Sequence, residues 1–64
     1  MILELHIYRA ANVFIRRYGP DATIQAARLI DLMLERGDLD GQRVWLRIQQ
    51  AIIVLQAPSS RTIH

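Results

Sequence analysis

Two glycines, Gly19 and Gly37, divide the chain into three stretches in which apolar residues recur every three or four positions, and that punctuation constrains the fold most. Such spacing puts side chains on one side of a helix of about 3.6 residues per turn. A glycine just past the last periodic residue can take the left-handed conformation that closes a helix. In the first stretch Leu3, Ile7, Ala10, Ala11, Phe14 and Tyr18 keep the spacing; in the second, Thr23, Ala26, Ala27, Ile30, Met33 and Leu34; in the third, Val44, Trp45, Ile48, Ala51, Ile52 and Leu55. Pro20 follows Gly19, where it cannot continue one helix but can begin the next. The fold expected is all-α, a three-helix antiparallel bundle with helices near 2–18, 21–36 and 39–56. Long helices of nearly equal length favour that arrangement over a helix-turn-helix, which pairs shorter helices around a tight turn.

At 64 residues there is room for one domain, expected over residues 1–57, with 58–64 a flexible tail after Pro58. A domain this small buries only about 60% of the surface its unfolded chain exposes, so stability is marginal. With no cysteine, neither a disulfide nor a thiolate metal site can reinforce it. Helix packing and oligomerisation remain. Because 52% of the residues are apolar, some must face outward unless a partner covers them.

The stretch from Asp38 to Trp45 opens the third helix. Asp38 is the expected N-cap, with Asp40 a rival that would shorten the helix by about two residues. Gly41 falls in the first turns on the core side. Glycine there weakens a helix by about 1 kcal/mol relative to alanine, which points to a close neighbour needing the space. Trp45, the sole tryptophan, is expected to be the largest side chain of the core. Arg16, Arg17 and Arg36 near helix C-termini, and Asp21, Asp38 and Asp40 near N-termini, suit the helix dipoles without any ligand.

No motif commits the chain to a chemistry. His6 and His64 have no second ligand at metal spacing, so no metal site is expected. Asp31, Glu35, Asp38 and Asp40 form an acidic group, but a hydrolase needs paired carboxylates in a cleft, and two of these are placed for capping. There is no P-loop, no dinucleotide-binding loop and no nucleophile beside a histidine. No cofactor, no small-molecule substrate and no enzymatic activity are expected. The N-terminus lacks a basic region and a long apolar run, so no signal peptide is expected. The longest purely apolar run, Ala51 to Leu55, is too short for a membrane span, and a cytoplasmic protein is the expectation.

Two surfaces remain. Leu5, Arg9, Asn12 and Arg16 form a stripe on the first helix, and with Arg17 they offer a candidate nucleic-acid face: arginine for phosphate or guanine, asparagine for adenine. The plainer account is a solvated face, given a net charge of only +2 and no dense basic cluster. The apolar surplus is more informative. Ile24 and Leu32 on the second helix, and Leu46 and Ile53 on the third, fall off the core side and form a candidate interface; Ile2 and Val13 do the same on the first helix. A contiguous apolar patch on so small a protein is expected to bind something.

The segments Ile7–Val13, Arg16-Arg17, Asp21-Ala22, Arg36–Asp38, Asp40–Gln42, Val44-Trp45, Arg47-Ile48 and Ala51-Ile52 resemble a group of short, uncharacterised bacterial proteins over about residues 7 to 55. The resemblance implies a small bacterial helical protein and no activity. The expected function is a non-enzymatic interaction module, a homodimer or an adaptor for an unidentified protein partner. The alternative is a small nucleic-acid-binding protein using Arg9, Asn12, Arg16 and Arg17.

Overall fold

A computed structural model of the protein describes the backbone of residues 2–57 and the side chains of residues 4–57. Helix α1 spans Ile2–Tyr18, a single 3₁₀ turn spans Gly19–Asp21, α2 spans Ala22–Arg36 and α3 spans Leu39–Gln56. No strand occurs among the described residues, and the helix limits fall where glycine and aspartate set them. The calls on residues 58–64, and on the side chains of Ile2 and Leu3, lie outside what is described.

Local chemistry fixes each joint. Gly19 has a φ of 58°, which only glycine takes without strain, and Pro20 starts the 3₁₀ turn that leads into α2. At the second joint Gly37 sits at φ 73° and ψ 18°. Its N–H donates to the Leu34 carbonyl at 3.1 Å and the Asp38 N–H donates to the Met33 carbonyl at 2.9 Å, the paired bonds of a Schellman motif. Asp38 then caps α3, its carboxylate accepting from the Gly41 N–H at 2.9 Å. Two residues therefore end one helix and begin the next. A Cβ at Gly41 would lie 2.7 Å from Asp38 Oδ2 and 2.8 Å from Met33 Sδ, so a side chain there would push both of those groups aside. α3 ends at Ala57, which is extended at ψ 145° because the residue before a proline is pushed out of the helical region.

Asp38, not Asp40, makes the capping bond. Asp38→Ala should therefore lower stability by about 1 kcal/mol, while Asp40→Ala should lower it much less. Urea denaturation of the two variants side by side checks this, and equal losses would contradict the assignment.

The described residues are all-α as expected, but they count as two helical runs and not three, so the three-helix antiparallel bundle is not confirmed. Helical backbone continues through the 3₁₀ turn, so the described residues make two helical runs, Ile2–Arg36 and Leu39–Gln56, the first bent at Gly19. α2 and α3 do run antiparallel. Gly41 lies against Met33, Gln49 Nε2 donates to the Thr23 carbonyl at 3.3 Å, and Gln56 Nε2 donates to the Gly19 carbonyl at 2.9 Å. α1 packs chiefly against α3. Glu4 pairs with Arg47, while Phe14 meets Trp45 at 5.1 Å between ring centroids.

The core lies where the three helices meet and consists of Ile7, Ala11, Ala22, Ala26, Ile48, Ala51 and Ile52. Four of these seven are alanines, which lets the helix backbones approach closely. Ala10, Phe14, Ile15, Tyr18 and Trp45 pack against this cluster while half-buried. Several expected core positions are corrected. Leu34, Val44 and Leu55 have the right helical phase but are exposed, since no helix extends over them. Trp45 is half-buried rather than central. No leucine among the described side chains is fully buried, so much of the apolar surplus faces outward.

Candidate interaction surface

On α3, Leu46 and Ile53 are 43% and 45% exposed, and Leu39, one heptad earlier, is 58% exposed. Seven residues are almost two full turns, so the three side chains form one stripe about 21 Å long. Ile48, buried in the core, lies about 160° around the helix from Leu46, so the stripe points away from both α1 and α2. Gln42, Gln49 and Gln50 flank it, with Arg43 the single charge. The Gln49 amide is already tied to the Thr23 carbonyl.

The other two residues of the sequence-based interface do not join this stripe. Ile24 is 56% exposed on α2. Leu32, eight residues later, is about 80° around the helix from it and half-buried, so these two cannot form a single seam. Leu39 was missed in the sequence because it is the first helical residue, next to the cap. The seven-residue recurrence of Leu39, Leu46 and Ile53 is the signal that finds it.

On α1 the structure places Leu5, Arg9, Asn12 and Arg16 along one exposed strip. Arg17 departs from it, about 100° around the helix from Arg16, with its guanidinium 5.8 Å from the Tyr18 ring centroid. None of Arg9, Asn12 or Arg16 makes a side-chain hydrogen bond or ion pair among the described residues.

Between α1 and α3 is an open groove of about 260 Å³, floored by Ile7 and Ala51 and bordered by Tyr8, Gln50 and Val54. Its one carboxylate, Glu4, is held by the Arg47 guanidinium. Asp31, Glu35, Asp38 and Asp40 all lie exposed around the α2–α3 joint and do not converge on a cleft. No cluster of three metal-ligating side chains occurs among the described residues, and none of the described helices is long and apolar enough to cross a membrane. No protein-family profile, curated protein or solved structure matches the chain.

Proposed function

We propose that this protein is a small non-enzymatic interaction module that works through the outer face of α3. The reading is supported by one observation above others: Leu39, Leu46 and Ile53 line up on an exposed, nearly uncharged stripe while the core itself is built from alanine and isoleucine. Exposing aligned branched side chains is unfavourable in water by about 1.5–3 kcal/mol each relative to full burial, so a partner that covers them gains that term. Depletion of charge at the centre with polar residues at the edge is also the usual composition of a protein interface.

Leu46→Gln tests the reading. The variant should keep its helicity and thermal midpoint nearly unchanged, since Leu46 contributes little to the core. It should lose binding of the apolar dye 1-anilinonaphthalene-8-sulfonate and any association seen by light scattering. A variant that unfolds, or one that retains both properties, would remove the support.

A second reading, nucleic-acid binding, draws on the free strip of Arg9, Asn12 and Arg16. Phosphate contacts weaken steeply as salt rises, whereas an apolar seam hardly responds. Duplex binding lost near physiological salt, and lost in Arg9→Ala with Arg16→Ala, would favour it over the first.

A further inference from the structure

Met33 carries the only sulfur in the chain besides that of Met1, since there is no cysteine. It lies in the last turn of α2 and is half-buried. Its carbonyl accepts the Asp38 N–H in the Schellman motif that ends the helix. Its side chain faces the first turn of α3. A side chain on Gly41 would meet Asp38 Oδ2 at 2.7 Å and Met33 Sδ at 2.8 Å, so the thioether and the capping carboxylate border the same small space. The other carboxylate oxygen, Oδ1, accepts from the Gly41 N–H at 2.9 Å. An oxidisable sulfur therefore stands beside the negative charge that caps α3. A thioether tolerates that neighbour because it is soft, polarisable and only a weak acceptor.

We propose that Met33 is a site of oxidation by peroxide, and that its sulfoxide loosens the α2–α3 joint by displacing the Asp38 cap. The sulfur lone pair attacks one oxygen of hydrogen peroxide. The S–O bond forms as the O–O bond breaks, and the second oxygen takes up the proton of the first and leaves as water. Sulfur gives up two electrons, and the peroxide is reduced. Because Met33 is only half-buried, peroxide reaches the sulfur without unfolding of the chain. The product is a polar sulfoxide where a flexible apolar side chain had been. Its oxygen bears partial negative charge and only accepts hydrogen bonds, as does the ionised Asp38 carboxylate, so neither can satisfy the other. Brought into the same space, the two repel, the carboxylate is driven from the Gly41 N–H, and α3 loses the bond that starts it. The oxidised chain keeps its helices but holds the hairpin less firmly.

The test treats the full chain with dilute hydrogen peroxide under native conditions, removes the excess and locates added oxygen by peptide mass spectrometry. Met33 should carry one oxygen, and the urea midpoint should fall by a margin similar to that of Asp38→Ala. Met33→Leu, which nearly conserves volume, should show no shift after the same treatment. That control also removes any contribution from Met1. In Asp38→Ala, peroxide should lower the midpoint less than in the parent, because the cap is already gone. Protection of Met33 while Met1 is oxidised overturns the site, as does a sulfoxide at Met33 with an unchanged midpoint or an equal fall in Met33→Leu. The same fall in Asp38→Ala as in the parent overturns the displacement of the cap.

Discussion

Ile52→Ala should leave most of the protein unfolded at room temperature. Among the described residues Ile52 is the largest side chain with no solvent exposure at all, and it sits where all three helices converge. Truncating it removes three carbons from the core and leaves a cavity that the neighbouring alanines cannot fill by reorienting. Buried isoleucine-to-alanine changes lose about 2–5 kcal/mol, and a core this size supplies only about 3–5 kcal/mol in total. The control is its chain neighbour. Ile53→Ala, at an exposed position, should stay within about 0.5 kcal/mol of the parent when measured too dilute to associate. Urea denaturation followed by far-ultraviolet circular dichroism compares them, and similar losses at the two positions would mean that the core is misplaced.

Trp45→Ala should destabilise the protein by about 2 kcal/mol, less than the 3–5 kcal/mol of a fully buried tryptophan. The indole is half-buried and leans on Phe14, the rings 5.1 Å apart and inclined at 51°. Phe14 in turn meets Tyr18 edge-on at 5.1 Å, so the three aromatics form a short ladder along α1 that closes on α3. A double-mutant cycle with Phe14→Leu should return about 0.5–1.5 kcal/mol of coupling. Trp45 also reports on itself: its emission should lie between that of a buried and a water-exposed indole and shift to the red on unfolding. A variant with unchanged stability, or an emission already at the exposed limit in the folded protein, would mean that the indole does not pack against α1.

Helix limits were readable from the chain because the signals that set them are local. Gly19 and Gly37 take positive φ, and Asp38 reaches only three residues ahead to Gly41. Which side of each helix is apolar was readable too, and Ile7, Ala11, Ala26, Ile48, Ala51 and Ile52 are buried as their phase requires. Periodicity does not reveal what covers that side. Val44 and Leu55 have the phase of Ile48 and Ile52 yet remain exposed, because no neighbouring helix covers them. The packing of α1 on α3 brings bulky Phe14 to Trp45 and buries small Ala11, and neither pairing is written in the sequence around either residue. The same limit applies to the candidate surface. Leu46 and Ile53 could be placed outside from phase alone, whereas the half-buried state of Leu32 depends on tertiary packing.

The two-residue link between α2 and α3 also bears on the order of events in folding. A hairpin closed by Gly37 and Asp38 brings Met33 against Gly41 with almost no chain to immobilise in a loop. α1 attaches differently: Ala11 and Ala51 reach the same core from forty residues apart. Closing that longer span loses more chain entropy before any contact compensates for it. α1 is accordingly expected to dock last and lift away first, so its contact with α3 should be the weakest point of the native state. Local opening there would uncover Ile48 and Ile52 while leaving the hairpin intact, which hydrogen exchange would read as α1 amides exchanging before those of α2 and α3.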